Sequence, residues 1–438
     1  MKKLNILLLC NLPTNNSNAP TVSHHILAFQ SFSRHNIFLL SNTGALPSGL
    51  DLDRFDVLVI HYSIWITNEN YLAKSAMERI RQFQGLKVQF SQDEYRTVNA
   101  IVSAMRYIRT DVLFTCVSEA EIDKVYPPEA LPNVRKVTNL TGFVPPELIH
   151  LETSPIAARP IDVSYRARKV PYWLGELGVE KWRIIPQFME ATKHHNLKTD
   201  LSYKEEDRLY GAQWIKLLCS SKCVLGVESG ASVFDFTGEI QRNVEQYLTK
   251  FPDAEFEEVQ SKFFAPEEGK IRLNQISPRC FEAAALRTVM ILFEGEYSGI
   301  LKPWQHYIPL KKDFSNIEGV VATIRNPQQL QTIADCAYKE IALNPLYSYE
   351  HFIAQFDSVI TEEFRARNKI IAPNPCTPAD FRLALAQSPA YLIHKIILIF
   401  LQHFFLGTRI RKFLYFVWYK IPLEHREKIR PLLKLIGR

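Results

Sequence analysis

Short apolar runs that alternate with longer polar or helical stretches constrain this chain more than any other feature. In the first 145 residues the runs fall at 4–9, 37–40, 57–60, 88–90 and 112–117, and further on at 161–165, 197–201, 223–227, 288–293 and 307–310. Runs this short and this apolar fit strands covered on both faces, and the stretches between them are long enough for helical crossovers. The pattern therefore predicts an α/β chain with parallel sheets. Two such sets in 438 residues predict two domains, at roughly 100 to 200 residues each.

The expected division is a Rossmann-like domain over 1–150, a second over 161–345, crossover helices over 346–380, and a basic amphipathic tail over 381–438. Residues 138–146 read as the last strand and turn of the first unit, and Pro155 and Pro160 mark the linker. Residues 238–272, rich in Glu and Phe, read as a helical insertion. Ser315 three residues before Glu318 has the spacing of a capping box, and Asn326-Pro327 that of an N-cap with proline in the first turn. Phe352, Phe356, Ile360 and Phe364 recur at helical spacing, predicting an amphipathic helix over 348–366.

With 47% hydrophobic and 22% charged residues, a mainly disordered or fibrous chain is excluded. Residues 2–10 superficially resemble a leader, but the apolar run is short and leads straight into Asn11, Asn15, Asn16 and Asn18, so it reads as a first buried strand. The seven cysteines are odd in number and scattered, with no CxxC pair, which fits a reducing, cytoplasmic setting rather than a disulfide framework. Of the net charge of +6, residues 391–438 contribute +8 (ten Lys/Arg, two Glu), leaving −2 for the rest. A nearly neutral body argues against a nucleic-acid partner.

Chemistry concentrates in residues 274–293. Ser277-Pro278 is an N-cap and first-turn pair, and an apolar strand follows the helix. Arg279 is out of place there, because a cation in a first helical turn opposes the macrodipole by about 0.3–1 kcal/mol unless an anion is shared with the free N–H groups. A diphosphate would be such an anion. Glu282 either pairs with Arg279 three residues away or accepts hydrogen bonds from the vicinal hydroxyls of a ribose.

The stretch Ser277-Pro-Arg-Cys-Phe-Glu-Ala-Ala-Ala-Leu-Arg-Thr288 resembles the S-P-R-x-F-E-A-x-A-x-G-T signature of group 1 glycosyltransferases, in particular the spore-maturation-like branch, and the likeness covers most of 161–330. The resemblance implies a GT-B architecture, two Rossmann-like domains facing a cleft. It also implies transfer of a sugar from a nucleotide-sugar donor, with no further cofactor and no metal. Arg279, Ser277 and the helix end would face the diphosphate, and Glu282 the ribose. Arg287 stands where the family usually has glycine, and Asn274 where many retaining members have the first glutamate of an E-x7-E pair.

Glu228, with Ser229 and Gly230 after an apolar run, either supplies that missing carboxylate or forms a plain strand-to-helix turn. Glu294, Tyr297 and Ser298 lie in a loop at a strand end, which is either a ligand loop or a solvated turn. Arg166, Arg168 and Lys169 follow the first strand of the second unit, where related transferases place cations that neutralise the departing diphosphate; a basic surface turn is the alternative. If configuration inverts, Asp93, Glu94, His61 or His24 from the first unit must take the acceptor proton. No Asp-x-Asp motif follows an apolar strand, and His24-His25 lacks the spacing of a zinc site, so no metal is expected.

Residues 391–406 are apolar yet contain His394, Lys395, Gln402 and His403, and about 16 residues fall short of the roughly 20 needed to cross a bilayer. Beyond them aromatics and cations interleave. This composition fits peripheral attachment to an anionic membrane surface, with a homodimer contact as the alternative. The expected acceptor is a glycan or lipid-linked sugar in surface polysaccharide or glycoconjugate synthesis. The rival readings are a nucleotide-sugar epimerase or phosphorylase, and a non-catalytic nucleotide-binding scaffold.

Overall fold

The structure is a computed structural model that describes residues 2–13, 20–388 and 391–392. Its first sheet contains β1 (Asn5–Cys10), β2 (Asn36–Ser41), β3 (Val57–Ile60), β4 (Leu86–Phe90), β5 (Val112–Thr115) and β6 (Arg135–Thr138) in the order β2-β1-β3-β4-β5-β6. The second contains β7 (Ile161–Arg166), β8 (Thr199–Ser202), β9 (Ser221–Gly226), β10 (Val289–Phe293) and β11 (Tyr307–Leu310) in the order β11-β10-β9-β7-β8. Every pairing is parallel. The chain thus forms two Rossmann-like domains facing a cleft, the GT-B architecture.

Strands β1, β3, β5, β10 and β11 are buried along their whole length, which is why they read as near-continuous apolar runs; β4 is as buried but contains Lys87 and Gln89. Strand β6 was expected later, within 138–146; its Arg-Lys-Val-Thr sequence is half-exposed at the sheet edge, so burial left no apolar mark on it. Strand order reverses between β1 and β3 in the first sheet and between β7 and β9 in the second. Crevices at the carboxyl ends of strands at such reversals are where open α/β sheets bind ligands.

Helix Tyr349–Ala366 leaves the second domain and lies on the first sheet. Ser348 caps it by accepting from His351 N at 3.0 Å, and Phe352 and Phe356 meet Phe29 with ring centroids 5.7 and 4.9 Å apart. Each such buried phenylalanine is worth about 1.5–3 kcal/mol, so this helix is a structural part of the first domain. A helix at Pro378–Ala386, closed by a Thr377–Asp380 capping box, adds Phe381 against Phe38. The box expected at Ser315 and Glu318 does not form. Asn316 stands at the N-cap of Ile317–Ile324, Ser315 N donates to Asp313 Oδ1, and Glu318 pairs with His195. The Asn326 cap does form, accepting from Gln329 N at 3.1 Å.

The insertion contains helices Glu239–Lys250 and Phe256–Phe263, and its buried residues Val244, Phe256 and Val259 join the core of the first domain. The backbone crosses the gap: Asp235 N donates to Tyr95 O at 2.8 Å, and Asn99 N to Phe236 O at 3.0 Å. The buried Asp235 carboxylate anchors the strap by accepting from Gly238 N at 2.7 Å and Gln241 N at 2.8 Å. Among the described residues no helix is long and apolar enough to cross a membrane. The tail reading over 393–438 lies outside the described residues.

Candidate functional site

A cavity of about 380 Å3 opens between the domains, at the carboxyl ends of β7 and β9. Helix Pro278–Ala285 points its N-terminus at this space, and Ser277, Pro278, Arg279 and Glu282 all line it. Ser277 is extended (φ −76°, ψ 141°) and accepts from Arg279 N at 3.4 Å, while Pro278 fills a first-turn position that needs no N–H. The first domain holds this end in place: Thr141 Oγ1 donates to Ile276 O at 2.6 Å, and Gly142 packs so closely that a Cβ there would come within 3.0 Å of Pro278. The first turn therefore presents the positive end of the helix dipole to the cavity, while Arg279 N and Cys280 N donate to Ser277 Oγ and Ser277 O.

Three cations converge here. Arg279 is exposed, its guanidinium 4.7 Å above the Trp214 ring and donating to Arg166 O. Arg168 lines the cavity with no hydrogen bond or ion pair among the described residues. Lys181, on helix Glu176–Ala191, donates to Gly230 O at 3.3 Å. Burial pulls the Lys181 ammonium down to about 8; Asp93 opposes the shift, and Arg168 and Arg279 add to it. None of the three forms an ion pair among the described residues, so a polyanion would complete the site rather than compete with carboxylates.

Arg166 lines the cavity but spends its donors internally, on Asp200 Oδ1 at 2.7 Å and on the carbonyls of Asp207, Tyr165 and Asp200. Lys169 lies instead over the rings of Trp182 and Tyr203 and does not line the cavity. Of the basic run after β7, Arg168 is the member left available. Glu282 is buried and accepts from Trp214 Nε1 at 2.7 Å; burial raises its carboxyl above the ordinary range. No ion pair forms between Arg279 and Glu282 among the described residues.

Glu228 has a different position from the one a catalytic carboxylate needs. It is buried, accepting from Asn274 Nδ2 at 2.7 Å, Tyr297 N at 2.7 Å and Glu296 N at 3.0 Å, and Gly295 leaves no room beside it for a Cβ. Asn274 and Glu228 are thus partners. Tyr297 is buried with its hydroxyl on Phe293 O, Ser298 Oγ accepts from Ile276 N, and Glu294 is exposed; none of the three lines the cavity. Ser229 does line it, and exchanges backbone hydrogen bonds with Gln275. Gly230 has φ +113°, and a Cβ there would strike Leu273 O.

A second cavity, of about 220 Å3, adjoins the first on the side of the first domain, and Asp93 lines both. Asp93 has a left-handed backbone (φ 56°), is exposed, and accepts from the Tyr95 hydroxyl at 3.0 Å. Glu94, expected beside it, is turned into the core. Thr115 Oγ1, Tyr126 Oη and Cys116 N all donate to Glu94, and burial pushes its carboxyl up to about 7 against those bonds. His61, expected to face the cleft, is also wholly buried, with Nε2 2.9 Å from His25 Nδ1; burial, then the His25 neighbour, keeps its pKa well below the ordinary histidine value. His24 pairs with Glu147 at 2.9 Å.

Sequence reasoning missed Lys181, a lone lysine on a helix of mixed character, and the Asp235 strap. Neither has a local motif. A larger recess of about 730 Å3 lies at the β2 edge of the first sheet, and none of the expected site residues lines it. No group of three or more His, Cys, Asp or Glu that could hold a metal ion occurs among the described residues.

No family model matches the sequence, and no curated protein matches it. Solved structures do. T4 phage BGT in complex with UDP-glucose is similar at 12% identity over 84% of this chain and 99% of that one, with a TM-score of 0.42. Anabaena HepE in complex with UDP-glucose is similar at 9% identity over 83% and 100%, with a TM-score of 0.44. An alpha-glucosyltransferase in complex with UDP and DNA is similar at 10% identity over 82% and 100%, with a TM-score of 0.43.

Proposed function

We propose that this chain is a glycosyltransferase of GT-B architecture that binds a nucleoside diphosphate sugar in the interdomain cleft and transfers the sugar with inversion. One observation carries the reading: the N-terminus of helix Pro278–Ala285 and three cations without carboxylate partners, Arg168, Lys181 and Arg279, meet at one cavity. Amide dipoles and fixed cations at that spot match the charge of a diphosphate, and match it better as the leaving group gains charge in the transition state. Glu282, with one oxygen held by Trp214, offers the other to ribose hydroxyls. Asp93 is the general base of this reading, because it borders both cavities while Glu94, His61 and Glu228 are committed elsewhere.

In the step that follows, the acceptor hydroxyl gives its proton to the Asp93 carboxylate as its oxygen bonds to the anomeric carbon. The bond from that carbon to the phosphate oxygen breaks, and its electron pair stays on the diphosphate. Arg168, Lys181 and Arg279 receive that charge. The acceptor is a glycan or lipid-linked sugar, and the basic tail carries the enzyme to an anionic membrane surface; a variant ending at residue 390 that still sediments with anionic vesicles would reject the tail's part. The cleft reading is tested by thermal shift across nucleoside diphosphates, since a ligand of the folded state raises its apparent stability. A shift in the unaltered protein that Arg279→Ala reduces supports it, and no shift with any of them sinks it.

A further inference from the structure

The second cavity has a wall chemistry of its own. Trp65, 39% exposed, and Tyr71 form an aromatic corner with ring centroids 6.3 Å apart. Gln89, also on the wall, is only 2% exposed. Its Nε2 donates to Phe90 O at 2.6 Å, which orients the amide, and its Oε1 is buried with no hydrogen-bond partner. A buried acceptor left unpaired is costly, and a hydroxyl is the group that would satisfy it.

Arg96 is the cation of this cavity. Its guanidinium lies between two indoles, 4.9 Å from the Trp65 centroid and 5.1 Å from that of Trp173, and its Nη2 donates to Gln241 Oε1 at 3.3 Å. Its Nε is buried without a partner. Arginine keeps its charge, yet Arg96 forms no ion pair among the described residues; Asp93, the carboxylate on the same wall, is engaged by Tyr95. Two ring faces and a neutral amide leave a half-buried guanidinium short of the anion it pairs with best.

We propose that this cavity takes the acceptor as a sugar ring bearing an anionic group, a carboxylate or a phosphate, with the ring on Trp65 and Tyr71, a hydroxyl on Gln89 and the anion on Arg96. Asp93, at the junction with the donor cavity, then faces the ring's reacting hydroxyl. Calling the ligand the acceptor rests on the transferase reading; its being an anionic sugar does not.

The test titrates glucuronate, glucose 6-phosphate and glucose into the full chain saturated with UDP, which blocks the cations of the donor cavity. The two anionic sugars are compared to separate carboxylate from phosphate. At least one should bind about tenfold or more tighter than glucose, and that preference should vanish in Arg96→Gln and survive, weakened, in Arg96→Lys. Because Arg96 also packs between the domains, the unaltered protein provides a second readout: added salt should weaken the anionic sugar and leave glucose unchanged. Equal binding of all three sugars, or a preference that persists in a folded Arg96→Gln protein, overturns the proposal. Arg96-dependent sugar binding in a protein that ignores every nucleoside diphosphate supports it while sinking the transferase reading.

Discussion

The two walls of the cleft are built on different principles. The second domain presents a helix N-terminus and three cations drawn from three separate elements, so its charge is laid down largely by chain geometry. The first domain presents aromatic rings, one arginine and one carboxylate, and that carboxylate reaches the cleft where Asp93 adopts a left-handed backbone while Glu94, its neighbour, turns inward. Under the proposed transferase reading, a diphosphate would be met by several redundant groups, whereas proton transfer would depend on one residue and one turn. Damage to the first wall should therefore be all-or-none, and damage to the second graded.

Asp93→Asn should break the contrast most sharply. It keeps an acceptor for the Tyr95 hydroxyl but removes the base, so kcat should fall about a hundredfold to ten-thousandfold with nucleoside diphosphate affinity unchanged by isothermal titration. Turnover within a few-fold of the unaltered enzyme would remove Asp93 from the mechanism. On the other wall, Lys181→Ala and Arg279→Ala should each weaken the diphosphate about tenfold to a hundredfold, and leave the affinity of the parent nucleoside alone.

Proton release sharpens the same comparison. With its ammonium held near 8, Lys181 loses its charge as pH rises past that value, so diphosphate affinity should decline there, and Lys181→Gln should flatten the decline. Between about 8 and its ordinary value of 10.5 the unfolded chain holds the proton that the folded chain has lost, so through this group the ligand-free protein gains stability as pH rises. Glu94 acts in the opposite sense. Its folded value of about 7 lies above the usual 4.5, so the folded state holds the extra proton in that window and stability falls as pH rises through it, by about 1–3 kcal/mol. Denaturant titrations at several pH values should show that slope in the unaltered protein and lose it in Glu94→Gln.

The smallest effect is expected where the chain departs from the glycine of the resembled signature. Arg287 ends helix Pro278–Ala285 with φ 51°; Arg287 N donates to Ala284 O and Thr288 N to Ala283 O, a helix ending that glycine favours. Its guanidinium compensates by lying 3.6 Å from the Tyr338 centroid. Arg287→Gly exchanges backbone relief for that contact and should move the unfolding free energy by no more than about 1 kcal/mol.

The position of the site on the second domain was legible because its signals are local. The Ser277-Pro278 cap, the misplaced Arg279 and the strand ends around them stand within a few residues of one another, and the inner strands of both sheets announced themselves as mostly apolar runs because they are buried on both faces, unlike the edge strands β6 and β8. Asp93, Glu94 and His61 could not be told apart in the same way. All three are polar residues at strand ends, and only a backbone torsion and the packing behind it divide the exposed one from the two that are buried.

What the residue order determined by itself was the two-sheet α/β architecture and the capped helix start at Ser277, since periodicity and capping are set by neighbours along the chain. Tertiary structure alone decided that Lys181 joins Arg168 and Arg279, that Asn274 and Glu228 satisfy each other, and that the Asp235 strap ties the insertion to the first domain. Those groups lie tens of residues apart, and burial and charge act on them through space, where sequence distance has no meaning.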